Sequence, residues 1–300
     1  MKNQSFLKWL ILGIGILSLI AAGLGVFWQG EGQTSEFITL HGETVTIQGH
    51  GLYQYDTISM AAQAIGQDVV TLLVGIPLLV ISMILFKKGS LKGKLLLPGT
   101  LAYFLYTYTS YVFGVAYNVL FLVYVSLFSL SLFALIFAIM EIDIPTLPKH
   151  FSSGLPRRTI AIFLFIVGGF LLLDWLGRIV PPLLANQPPL ELESYTILII
   201  QALDLGLVVP IAILSGILLW EKRAWGYLLS SIVLIKFATV ALAVSAMEVN
   251  MFFAGVQIGI GELILFPSIA MISGGMTVVL LRNVDELRDK RSASLSESIP

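Results

Sequence analysis

The sequence predicts an all-α fold: a polytopic transmembrane helix bundle of about eight spans, with a small extracytoplasmic β-hairpin and helix inserted between spans 1 and 2. Three observations predict it. Apolar runs of about 20 residues, long enough to cross a bilayer core as a helix, recur along the whole chain. Of the 300 residues, 57% are hydrophobic and 12% charged, and the mean hydropathy is +0.93, which no ordinary soluble domain reaches. Of the 17 Lys and Arg residues, all but Arg178 and Lys236 fall in segments that eight spans would put on one side of the membrane.

Span 1 is Phe6–Trp28. Its apolar run continues past the small Ala21-Ala22-Gly23 stretch, so it reads as an uncleaved anchor. Residues 29–67 form the long polar insertion. There Phe37–Ile47 alternates in part around a His-Gly-Glu break, the pattern of a hairpin. Asp56 is placed to cap a short helix, Thr57–Ile65, ending at Gly66 and lying on the membrane surface. Span 2 is 69–86, with Pro77 inside it. Spans 3 and 4, 95–117 and 119–140, form a tight helical hairpin turning near Asn118. Span 5 is 159–180, stopped by Pro181-Pro182. Span 6 is 195–220, interrupted by Pro210, and span 7 is 226–247. A Gly-rich connection leads to span 8, 258–281, with Pro267. Together, residues 1–282 read as one transmembrane domain, and 283–300 as a charged, Ser-rich cytoplasmic tail, partly disordered. The positive-inside rule then puts both termini in the cytoplasm, in a cytoplasmic (inner) membrane.

Lys236 lies near the middle of span 7, where a charge costs roughly 2.5–3.5 kcal/mol to insert. Asp174 and Arg178 lie in span 5, Asp204 in span 6 and Glu262 in span 8, with Asp68 at the mouth of span 2. Convergence inside the bundle is the economical way to hold them. Asp174 and Arg178 are four residues apart, so they can neutralise each other on one helix face, with Arg178 reaching to the headgroups. Lys236 then needs Asp204 as first choice, with Glu262 as second. Gln201, one turn from Asp204, is placed to hold its carboxylate. The plain alternative is a structural ion pair without further role.

Spans 2, 6 and 8 each carry an acid followed by a deeper proline, which frees the carbonyls of Leu73, Gly206 and Leu263 for a cation or proton. Asp68 equally reads as a helix cap. On span 3, Tyr103, Tyr106, Thr107, Ser110, Gly114 and Tyr117 recur at helical spacing, either lining a cavity or holding helices together. Gly255, Gly259 and Gly261 point to close packing or a mobile entrance.

The segments QDVVTLLVGIPLL (67–79), YTYTSYVFGVAYNVLFLVYVSLFSLSLF (106–133) and QALDLGLVVP (201–210) resemble uncharacterised bacterial polytopic inner-membrane proteins. The resemblance covers most of the chain and implies no activity, catalytic residue or cofactor. Retinal proteins also carry a membrane lysine, but on the last helix of seven. Here it is on the seventh of eight, without a convincing aromatic box.

Composition excludes several chemistries. There are no cysteines, so no thiol catalysis, disulfides or thiolate metal sites. His41, His50 and His150 all lie between spans, which excludes an intramembrane bis-histidine haem site. The net charge of −1 provides no footprint for nucleic acid. The partners left are the lipid bilayer, a small-molecule or ion ligand at the polar site among spans 5–8, and a protein at the outside segment. The expected function is transporter or ion/proton-responsive protein; the alternative is a non-catalytic membrane sensor or scaffold. An enzyme is the weakest reading, since no nucleophile–base pair and no metal-ligand cluster appears.

Overall fold

A computed structural model gives the structure of the protein and describes residues 2–28 and 30–286. Ten α-helices follow one another among them: α1 (Lys2–Phe27), α2 (Ile58–Val70), α3 (Ile76–Lys87), α4 (Leu91–Gly114), α5 (Phe121–Met140), α6 (Arg157–Leu184), α7 (Ile199–Leu203), α8 (Val209–Trp220), α9 (Ala224–Phe253) and α10 (Ile260–Arg282). The one sheet among these residues is a hairpin of β1 (Ser35–Ile38) and β2 (Thr44–Ile47), paired antiparallel with Ser35 opposite Ile47 and Ile38 opposite Thr44. The fold is an all-α helical bundle.

Seven helical rods among the described residues are long and apolar enough to cross a membrane. The segment expected as span 3, now α4, is not one of them. Its 24 residues suffice in length, but Lys92, Lys94 and a run of Tyr and Thr lower its apolarity. The packing explains this composition. Most of α4 is buried among α3, α5 and α9, so its side chains meet protein rather than lipid.

The 30-residue α9 is the axis of the bundle, with α2, α4, α8 and α10 packed around it. Buried apolar side chains fall into two clusters. One joins α1 through α5 with Ala243 of α9; the other joins the start of α4, α6, α8, the first half of α9, the end of α10 and the α5–α6 connection. By contrast, α10 leans almost wholly on α9 and buries only Ser273 and Leu280.

Several helix boundaries differ from the sequence expectation. The short surface helix ending at Gly66 does not exist as such. Thr57, not Asp56, is the N-cap, accepting a hydrogen bond from the Met60 amide at 3.2 Å. The helix runs through Gly66 and, by way of a π turn at Thr71–Gly75, into α3, making one 30-residue rod. Gly66 lacks a side chain for a packing reason: a Cβ there would lie 2.6 Å from the Met247 backbone, so glycine lets α2 and α9 touch. Nor do Pro181 and Pro182 stop α6, which continues to Leu184. Their rings fix φ at a value the helix already uses, so the backbone keeps its turn to Leu184 while giving up two amide donors near the end.

The hairpin forms, but it does not pack on the span ends. All four residues of β1 are exposed, Phe37 and Ile38 included. It is held at its root, where the Gln48 amide donates to the Asp56 carbonyl at 2.8 Å and Ile47 bridges Thr57. At the opposite end of the chain, Asn283–Glu286 dock back on the bundle. The Ser152 amide donates to the Asn283 carbonyl at 2.9 Å, and Glu286 accepts from the Ser90 hydroxyl at 2.5 Å. The rest of the expected tail, 287–300, lies outside the described residues.

Two rods carry a π turn just before their proline. The Ile76 amide bonds the Thr71 carbonyl five residues back, and Pro77 follows. In the other rod the Val209 amide bonds the Asp204 carbonyl, and Pro210 follows. Widening the turn makes room for a ring that would otherwise strike the preceding turn. Pro267 sits in α10 without such a turn, so the threefold acid–proline pattern is structurally a twofold one.

Candidate functional site

Between α2, α4, α6, α7, α9 and α10 lies a chamber of about 440 Å³. Its foot is Lys236. The lysine makes no ion pair among the described residues, so the expected direct pairing with Asp204 does not form. Instead its ammonium stands over the face of Tyr106, 3.8 Å from the ring centroid, with Phe237 further off at 5.8 Å. The Tyr106 hydroxyl donates to Asp204 Oδ1 at 2.9 Å. Tyr106 is therefore a wedge between the two charges. Its ring attracts the cation and its hydroxyl bonds the anion.

Asp204 is 6% exposed and opens the π turn of its rod. Its second oxygen accepts from Trp175 Nε1 at 3.0 Å. No hydrogen bond joins it to Gln201, the expected holder; Gln201 is buried at the chamber wall instead. Sequence spacing within one helix could propose Gln201, but both true donors come from other helices.

The mouth is organised by Arg178. Its guanidinium meets Asp174 at 3.3 Å, Glu191 at 3.4 Å and Glu262 at 3.1 Å. The pairing with Asp174 is the one the four-residue spacing foretells. Glu262 also caps the start of α10, accepting from the Gly259 amide at 3.4 Å. It is thus engaged at the mouth, not by Lys236. Arg178 also lies 5.5 Å from the Trp175 ring centroid, so Trp175 connects the mouth to Asp204.

The tyrosines of α4 divide. Tyr106 faces the chamber, whereas Tyr103 is fully buried and bonds Gln67 and Thr71, each at 2.8 Å. Tyr103 holds α4 to the α2–α3 rod. Tyr117 belongs to neither group: α4 ends at Gly114, and Tyr117 lies exposed in the following connection, tilted against Phe121.

Asp68 is neither a helix cap nor part of the chamber. It is 1% exposed and accepts from the Tyr53 hydroxyl and, at 3.0 Å, from that of Tyr111. Gly25 of α1 faces it so closely that a Cβ would strike its carboxylate. With two phenol donors, the carboxylate stands in a protein interior without an ion pair among the described residues.

Two groups escaped the sequence reading. Glu248 lies one residue beyond the expected end of span 7, yet in α9 it is buried and lines the chamber. A longer span, continuing the apolar run to Phe253, would have included it. Asp56, itself outside the expected spans, ties three segments together. It accepts from the Ala116 amide at 2.8 Å and the Tyr195 hydroxyl at 2.7 Å, and beside it Thr57 donates to Glu193. Nothing local in the sequence marks Asp56 as a tether, because its partners are 60 and 139 residues away. Burial pushes the Asp56 carboxyl up from 3.8 to about 6, although both donors pull it down. Burial likewise raises the Glu193 carboxyl.

No protein-family model matches the chain, and neither does any curated protein or solved structure.

Proposed function

We propose that this integral membrane protein is of the transport type: a multi-pass protein of the cytoplasmic membrane, both termini inside, that admits a small ligand or ion to the chamber from the hairpin side. The observation that carries this reading is the state of Lys236. A purely structural ion pair closes on its partner, because two buried charges are best satisfied in direct contact. Here Lys236 and Asp204 are held apart by Tyr106 and both remain on the chamber wall. Intramembrane charges facing a cavity mark ligand or ion paths. The two π turns support the same reading. Each lies in a rod beside the chamber and is followed by proline, giving a place where a helix can bend as access changes. The one-sided Lys and Arg distribution supports the orientation.

The natural absence of cysteine makes a direct test available. In sealed vesicles of known orientation, Val244→Cys on the chamber wall should react with a membrane-impermeant thiol reagent added on the hairpin side. Reaction from the cytoplasmic side should appear in a second conformational state. A residue 244 thiol inert from both sides would mean a dry cavity and would overturn the reading.

A second reading, a sensor or assembly protein, is favoured by one observation: the hairpin exposes Phe37, Ile38 and Leu40. A protein partner whose binding is lost on Ile38→Ser with Leu40→Ser, while thiol access to residue 244 is absent, would favour it.

A further inference from the structure

The acidic and basic side chains lining the chamber are Asp174, Glu191, Asp204, Glu248 and Glu262 against Arg178 and Lys236, so the carboxylates outnumber the cations by three. Four of the five are answered by protein. Arg178 serves Asp174, Glu191 and Glu262, and Asp204 takes bonds from Tyr106 and Trp175. Glu248 is different. It is 3% exposed, and its Oε2 is buried without a hydrogen-bond partner among the described residues.

We propose that the chamber takes an organic cation, an ammonium group on an apolar body, and that Glu248 holds its cationic centre. The inference rests on the chamber being a ligand site. A buried carboxylate left unpaired is costly, and a ligand that brings a positive charge removes that cost on binding. A metal ion fits poorly, because no group of three His, Cys, Asp or Glu side chains among the described residues is set to hold one. An organic ligand fits the walls. Val244, Met247 and Met251 line the chamber as apolar surface, and Gln63 and Gln257 add amides. The volume of about 440 Å³ lies within the range of small-molecule sites. Lys236 does not oppose such a ligand. It lies twelve residues from Glu248 along α9, roughly 18 Å at helical rise, so a cation at Glu248 stays outside its near field.

The test is calorimetry on the purified protein in lipid nanodiscs, with empty nanodiscs subtracted. Three probes of similar shape are used: benzyltrimethylammonium, its uncharged carbon isostere neopentylbenzene, and benzenesulfonate. The ammonium should bind saturably, at least tenfold tighter than either of the others, and Glu248→Gln should weaken it at least tenfold. Equal or tighter binding of the neutral or anionic probe would overturn the cation assignment while leaving the chamber a ligand site. Ammonium binding unchanged in Glu248→Gln would overturn the role of Glu248. Binding of none of the three would overturn the inference, and residue 244 thiol access would then say separately whether the chamber reading stands. Should Glu248→Gln fail to fold, the three-probe comparison in the unaltered protein still decides the cation assignment.

Discussion

Lys236 stands over Tyr106, with 3.8 Å between its ammonium and the ring centroid, and the same tyrosine donates its hydroxyl to Asp204. A desolvated cation over an aromatic face gains roughly 2 kcal/mol. That is close to the cost of placing a lysine at membrane depth, roughly 2.5–3.5 kcal/mol. The two terms nearly cancel, so the lysine is held without being needed for the fold.

Lys236→Met should accordingly change stability by only about 1 kcal/mol, since the loss of the ring contact and the loss of the insertion cost offset each other. Asp204 keeps both its donors in this variant. Tyr106→Phe should cost more, about 1–3 kcal/mol, because it leaves a buried carboxylate oxygen without its hydrogen bond. Thermal unfolding in nanodiscs measures both. A loss of several kcal/mol in Lys236→Met alone would mean that Lys236 and Asp204 are directly paired after all.

Arg178→Met removes the shared partner of Asp174, Glu191 and Glu262 at the mouth. Arg178 is 38% exposed, so the stability loss should be about 1 kcal/mol or less. The local effect should be larger. Hydrogen exchange should speed up around Glu191 and at the start of α10, which Arg178 ties together through two ion pairs. Unchanged exchange there would show that the mouth is held by packing instead.

Asp56 predicts a pH-dependent tether. Its carboxyl is raised in the folded protein to about 6, so the folded state holds the proton more tightly than an opened one. The stabilisation is therefore complete below the ordinary value of 3.8 and is lost as pH rises through about 6. Glu193 is raised by the same cause and acts in the same direction. After correction for intrinsic exchange, the Ala116 amide should be better protected at pH 5 than at pH 7.5. Asp56→Asn, which keeps the acceptor oxygen, should flatten most of that difference, and an unaltered slope would assign it to another group.

Gly66→Ala should destabilise by about 1–3 kcal/mol, because the new Cβ meets the Met247 backbone at 2.6 Å and α2 and α9 must move apart. Gly169→Ala is the control. Its Cβ would meet nothing within 4 Å, so the gain in helix propensity should leave stability unchanged or raise it by up to about 1 kcal/mol. Equal effects at the two positions would remove the packing argument for Gly66.

The sequence by itself determined what depends on neighbours along the chain. The helical bundle, the hairpin at Phe37–Ile47 and the pairing of Asp174 with Arg178 are read from hydropathy, alternation and a four-residue spacing, all of which are local. Tertiary structure alone decided which helix face meets which. A periodicity tells that Tyr103 and Tyr106 lie near each other on α4, but not that one faces Gln67 of α2 and the other Lys236 of α9. For the same reason Glu262 pairs with Arg178, and Asp204 bonds Trp175 rather than Gln201. Helix ends followed the same rule: Gly66 and Pro181-Pro182 look like stops in isolation, but α2 runs on through Gly66 where it packs on Met247 of α9, and α6 runs on through the two prolines to Leu184. Rotation of a helix about its own axis leaves its sequence signature unchanged while exchanging every partner it has, so the partners of an intramembrane charge are set by the packed neighbours and not by the span that carries it.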